Sequence, residues 1–236
     1  MWDVLDTPGQ VESFERLLPL YAELQASTSE SVAAWIEAGA PDRRVHRLPE
    51  LLDALLTGQT PAGSLPIEAS QRHALDALRP DFARVCEELA GGPCAAALDH
   101  GDLHGGNVLV RASAQRLVDW GDSCVTHPFV SLYVTFELAV SRLGRADRAA
   151  AARRLRDAYL DAWPAYGSFT TRRETFTLAL WAGYVSRALE FAQMLDGAPP
   201  DLIDRWRGHI VAVLEHWHEA HRRLNDDEEF LAAIEP

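Results

Sequence analysis

Between Ala95 and Asp119 the helical periodicity of the chain gives way to short apolar runs separated by tight polar turns, and this interruption limits the fold more than any other feature. Ala95–Asp99 is one run, Asn107–Arg111 sets Val-Leu-Val between polar ends, and Gln115–Asp119 repeats the form around Leu117-Val118. Strands this short, joined by turns, make hairpins. On either side, apolar residues recur at helical spacing. Val11, Phe14, Leu17, Leu18, Tyr21 and Leu24 predict a helix over 11–26. Thr28-Ser29-Glu30 opens a second over about 30–38, and Leu48–Leu56 forms a third that Gly58 stops. After a loop over 58–66, a long helix is predicted from about 68 to 89, with a break at Pro80. Four more follow, over about 129–142, 146–162, 171–195 and 200–224. Trp181, Trp206 and Trp217 lie among apolar residues at helical spacing and are expected in the core. The acidic tail from Asn225 is expected to fray. The expectation is a mainly α (α+β) domain over 1–236. It comprises a helical lead-in over 1–60, a β unit over 94–122, a helical subdomain over 128–224 and an acidic tail over 225–236.

At 236 residues and 47% hydrophobic content, the chain supports one good-sized core. No run of eighteen apolar residues occurs, so no membrane-spanning helix is expected. The start, Met1-Trp2-Asp3, has no basic segment of the kind that opens a signal peptide. Cys86, Cys94 and Cys124 are sparse, odd in number and without CxxC spacing, which points to reduced thiols and a cytoplasmic setting. The net charge of −13 argues against a nucleic-acid or anionic-membrane partner, because polyphosphate binding needs a basic face. That field would suit a cationic substrate, though it also serves simple solubility. All 22 basic residues are arginine; the sequence contains no lysine.

The unusual chemistry lies on the β unit. Phosphoryl transfer from a nucleotide needs a carboxylate to orient or deprotonate the attacking hydroxyl, and oxygen ligands for the magnesium that neutralises the phosphates. In kinase-like enzymes the carboxylate and an asparagine ligand share one loop, five residues apart. A second aspartate, followed by an aromatic residue and a glycine, lies at the next strand turn. Here Asp102 is followed five residues later by Asn107, and Asp119-Trp120-Gly121 follows a strand, a turn and a strand. As turn formers, Asp, Asn and Gly would be unremarkable singly. Together, in this order and spacing beside apolar strands, they point to an active site.

The stretch His100-Gly101-Asp102-Leu103-His104-Gly105-Gly106-Asn107 with Asp119-Trp120-Gly121-Asp122 resembles the aminoglycoside phosphotransferase and choline kinase group, whose loop reads H-G-D-x-x-x-x-N. Gly101, where protein kinases have arginine, matches the small-molecule branch. The motif-bearing match runs over about 94–140. The resemblance implies the C-terminal lobe of a protein kinase-like fold, with the hairpin unit carrying the catalytic loop. It implies ATP or another nucleoside triphosphate as donor, Mg²⁺ as cofactor, and a small-molecule hydroxyl as acceptor. It makes Asp102 the catalytic base, Asn107 and Asp119 the metal ligands, His100 a structural brace of the loop, and Asp122 an additional acidic group. His104 is read as a local packing and hydrogen-bonding residue. Nothing in the sequence assigns nucleotide-binding residues.

Two departures accompany the resemblance. Relatives often continue to G-D-P-x-x-D-L, whose last aspartate props the catalytic loop; here Ser131 stands at that place. The group also grips nucleotide phosphates with a small β lobe, a Gly-rich loop and a strand lysine. No room for that lobe precedes Val11 and no G-x-G-x-x-G occurs. The expectation is therefore half of an active site, completed by an upstream lobe or partner chain, or else a non-catalytic remnant or binding module.

Other readings rest on less. Gly101-Asp102-Leu103-His104-Gly105 also resembles the first metal motif of calcineurin-like phosphoesterases, but the later G-N-H-[DE] and paired histidines those enzymes need do not follow. His218-Glu219-Ala220-His221 falls one residue short of H-E-x-x-H, and with His209 and His216 is expected on a solvated helix face. Glu190, Asp196, Asp201 and Asp204 are expected to solvate their helices.

Overall fold

The strand-and-turn interruption folds as two small antiparallel sheets set into a helical body. A computed structural model describes residues 3–5, 10–112, 114–140 and 143–233. In one sheet, β1 (Asp3–Val4) pairs with β3 (Val108–Arg111), which pairs in turn with β4 (Ala114–Leu117). In the other, β2 (Ala97–Asp99) pairs with β5 (Cys124–Thr126), in the register Ala97↔Thr126, Leu98↔Val125 and Asp99↔Cys124. The chain passes from β2 to β3 through residues 100–107, and from β4 back to β5 through residues 118–123. Because each loop connects the same two sheets, the loops lie side by side. The sequence pattern missed β1 and β5. The first has only two residues, and the second is buried on both faces and so shows no alternation.

Helices surround this unit. The lead-in forms α1 (Gln10–Thr28), α2 (Val32–Glu37) and α3 (Leu48–Leu56). The expected break in the long helix does not occur: α4 runs unbroken over Ala69–Gly91 through Pro80. A mid-helix proline costs about 3 kcal/mol in a lost hydrogen bond and ring clash. Burial of Leu75, Leu78, Phe82, Val85, Cys86 and Leu89 along one face offsets it. The C-terminal half contributes α5 (Leu132–Val140), α6 (Arg145–Asp161), α7 (Phe169–Met194) and α8 (Pro200–His221).

The core closes around α7, which is apolar on most sides. Trp181 stacks on Trp217 at 5.3 Å and donates its indole N–H to the Trp217 carbonyl at 2.9 Å, with Phe82 packed edge-on against both. Trp206 departs from the expected core position; it is half-buried, with its ring beside Phe191. Within the tail, the described residues form a helix where fraying was expected. Asp226 caps a last helix, α9 (Asp227–Ala232), and the Asp227 carboxylate is held by Arg156, Arg173 and Thr177. Among the described residues, no helix is long and apolar enough to cross a membrane.

Candidate functional site

The catalytic-loop segment is held from below by a residue the motif does not include. Asp99 ends β2 fully buried. Its Oδ1 accepts from the Tyr21 hydroxyl at 3.0 Å and from the Gly101 N–H at 3.1 Å, while the same Tyr21 oxygen accepts from the His100 N–H. Burial pushes the Asp99 carboxyl up, against those hydrogen bonds. Gly101 sits at φ 81°, and a side chain there would run into the Asp122 backbone. Only glycine allows this approach of the two loops. His100 is buried, packs against the Trp120 ring at 4.6 Å, and its Nε2 donates to the Val118 carbonyl at 2.9 Å. Its position is that of a brace between the loops. Among the described residues Ser131 has no hydrogen bond to the loop; it accepts from Gln25 and donates to the Pro128 carbonyl. The buried carboxyl group beneath the loop is that of Asp99.

Asp102 follows with 22% of its side chain exposed and both carboxylate oxygens engaged. Oδ1 lies 3.2 Å from Arg187 Nη2, and Oδ2 lies 3.2 Å from His104 Nε2. Burial pushes this carboxyl up, but the His104 hydrogen bond and the Arg187 guanidinium outweigh it and hold Asp102 below the ordinary carboxylate range. His104 Nδ1 accepts from the Gly106 N–H, which leaves Nε2 to carry the ring proton toward Asp102. The local hydrogen bonding expected of His104 thus falls on the candidate base itself. Asn107, 8% exposed, donates its amide to the Asp102 carbonyl at 2.9 Å and to Oδ2 at 3.3 Å. Its Oδ1 has no partner among the described residues and is turned away from Asp102.

The second loop is brought alongside by the Val118 N–H, which donates to the Asn107 carbonyl at 3.0 Å. Asp119 comes next, in the left-handed region at φ 63°, ψ 63°. Aspartate tolerates that region better than most residues, at a cost near 1 kcal/mol. Its carboxylate is exposed and unpartnered among the described residues. Asp122 is also exposed, one turn further on. Among the described residues no cluster of three or more His, Cys, Asp or Glu could hold a metal. What Asp119 and Asn107 offer is one carboxylate and one amide oxygen. Magnesium, which keeps much of its water and shares phosphate oxygens, fits such a sparse set of hard donors.

Helix α7 supplies residues that the sequence pattern did not single out. Arg187 pairs with Glu190 one turn along, and its guanidinium lies over the Phe191 ring at 4.4 Å. Glu190 was expected to solvate its helix, yet it is buried and also faces Arg43 at 4.0 Å. Burial pushes Glu190 up to about 8 against the pull of both arginines. Glu137 on α5 is pushed up to about 7 by burial, with Arg187 opposing. A charged pair spaced i,i+3 inside the apolar run Trp181–Ala192 was the available signal. The expected histidine face is only partly solvent-facing: His221 packs on Trp181 at 5.2 Å and approaches Asp81 at 3.3 Å. The loop histidine and α7 arginine thus flank one carboxylate, beside a loop pair that presents two oxygen donors.

A family model described as the phosphotransferase enzyme family (APH) matches residues 7–169. The chain belongs to that family. Two solved structures share the fold. One is a choline/ethanolamine kinase family protein from Mesorhizobium loti, with 16% identity and a TM-score of 0.54, covering 96% of this chain and 67% of that one. The other is a macrolide 2'-phosphotransferase type I, with 16% identity and a TM-score of 0.54, covering 86% of this chain and 60% of that one. This member of the phosphotransferase family therefore spans about two thirds or less of the length of these solved relatives. No curated protein sequence matches it.

Proposed function

We propose that the chain carries the acceptor and metal half of a small-molecule kinase, which transfers a phosphoryl group from ATP or another nucleoside triphosphate to a hydroxyl. The observation that carries this reading is the fixed Asn107 amide. By donating to Asp102 it orients the base and leaves its own oxygen free for a ligand, while its backbone carbonyl accepts from Val118, next to Asp119. Asp102 accepts the proton of the acceptor hydroxyl as the oxygen attacks, and its low proton affinity keeps it ionised at neutral pH. His104 and Arg187 fix the carboxylate so that its remaining lone pairs meet the hydroxyl. Asn107 and Asp119 would hold magnesium, which supplies neutralisation of the donor phosphates when bound.

The acceptor is a small molecule, and a cationic one fits best. Asp122, Glu137 and Glu190 gather around Asp102 in a chain of net charge −13. An ammonium group would lower the cost of ionising Glu137 and Glu190. Three free, buried thiols suit a reducing compartment, and we assign the reaction to the cytoplasm. The nucleotide phosphates need a further grip from an upstream segment or a partner chain, since these 236 residues contain no lysine.

The test is phosphotransfer from Mg·ATP to a panel of aminoglycosides, macrolides, choline-like amines and sugars, run beside Asp102→Asn. Transfer to one acceptor class, lost in the variant, supports the reading; equal rates in both proteins would sink it. The missing lysine favours a second reading, a non-catalytic binding module of the same fold. Acceptor binding without transfer from any nucleotide would select it.

A further inference from the structure

We infer that Arg187 is a positioning residue for the candidate base, and that it ties the helical half of the molecule to the catalytic loop. The inference rests on the assignment of Asp102 as base. Arg187 is far from the loop in sequence and enters the site from the middle of α7. Its side chain is only 13% exposed, and one end of the guanidinium reaches Asp102 Oδ1 at 3.2 Å. The other end is held by Glu190, and the flat face rests on Phe191. A planar fork fixed on three sides cannot swing freely, so the carboxylate it meets is fixed too.

The contact continues as a chain. Glu190 faces Arg43 at 4.0 Å, and Arg43 donates to Gln193 at 2.9 Å. Arg43 is anchored in turn through its own N–H to the Val125 carbonyl of β5. The line Arg43–Glu190–Arg187–Asp102 therefore joins the lead-in, α7 and the catalytic loop through one row of largely buried polar side chains. His104 holds the opposite carboxylate oxygen, but it belongs to the loop itself and moves with it. Arg187 alone of the two refers the base to α7 and, through Glu190, to the lead-in. A buried guanidinium shared by two carboxyl groups is costly to install, and replacing it by an apolar residue leaves Asp102 Oδ1 without its donor and Glu190 with Arg43 as its remaining cation. Lysine, with a single point of charge, can serve Asp102 or Glu190 but does not bridge them as the fork does.

The experiment compares Arg187→Met and Arg187→Lys with the unaltered protein, using the best acceptor found in the phosphotransfer panel. Positioning predicts that Arg187→Met lowers kcat about 10- to 100-fold, with Mg-dependent ATP affinity within twofold, and that Arg187→Lys recovers part of the loss. An unchanged kcat overturns the inference. So does a loss of kcat matched by an equal loss of ATP affinity and a lowered melting temperature that Lys does not correct. A second readout needs no turnover: the Arg187 guanidinium resonance in a ¹⁵N spectrum must shift on Asp102→Asn. If no acceptor is phosphorylated at all, the functional reading fails while that shift still reports the link. If transfer occurs and the resonance does not move, the link fails and the functional reading stands.

Discussion

Asp102 and Asp119 stand on neighbouring loops and are treated in opposite ways. Asp102 is half-buried with each oxygen engaged by a donor, whereas Asp119 is exposed, in a left-handed turn, without a partner among the described residues. The protein completes the environment of the first and leaves that of the second open. The roles proposed for each would account for the difference. A base must be held at one angle to the acceptor hydroxyl, and only protein groups can do that before the substrate arrives. A magnesium ligand gains its partners from the ion and the phosphates, so tying it down in advance would compete with binding.

Variants can break or sharpen this contrast, and the largest expected effect falls on the held side. Asp102→Asn keeps shape and removes the proton acceptor, so transfer should fall by about 10³-fold or more while the melting temperature stays within a few degrees. Retention of a tenth of the wild-type rate would show that the carboxylate is not the base. Gly101→Ala tests how closely the loops are pressed together. A methyl at φ 81° against the Asp122 backbone should cost about 3 kcal/mol, read as a lower denaturant midpoint, and should impair both halves at once. An alanine variant of normal stability would mean the loops are not locked.

The acid groups around Asp102 give a contrast in pH. Burial raises Glu137 to about 7, so the folded chain keeps a proton between about pH 4.5 and 7 that the unfolded chain has released. Stability must therefore decline as pH rises through that window, with at most about 3 kcal/mol from Glu137 beside the contribution of Glu190, and Glu137→Gln should make that part of the stability-against-pH curve less steep. A wild-type curve with no decline there would contradict the buried, uncompensated environment. The smallest effect concerns the Asp99 brace. Tyr21→Phe leaves a buried carboxylate with one donor fewer, a loss of about 1 kcal/mol in chemical denaturation. No loss would mean that Asp99 is satisfied by Gly101 alone.

The parts of this picture that could be read from sequence are those whose signal is local. Periodicity placed Leu48–Leu56 at its observed ends, and the five-residue spacing from Asp102 to Asn107 marked the loop that the structure sets between β2 and β3. The parts that escaped depend on which distant elements pack together. Arg187 and Glu190 look like surface charges until α7 is known to be buried around them, and Tyr21 looks like core until its hydroxyl is found under Asp99. The departure at Ser131 was legible, but the buried Asp99 carboxyl under the loop was not, because its role depends on the Tyr21 and Gly101 contacts. The tail misled through composition: its acidic residues suggested fraying, but three side chains, Arg156, Arg173 and Thr177, hold Asp227 in place.

The central claim is that the open carboxylate of Asp119, with Asn107, awaits a metal–nucleotide complex. Calorimetric titration with ATP, in the presence and absence of magnesium, tests it most directly in the unaltered chain and in Asp119→Ala. The account predicts binding that requires magnesium and that falls at least about tenfold in the variant. Absence of ATP binding with magnesium present, or equal affinity in the two proteins, would contradict it.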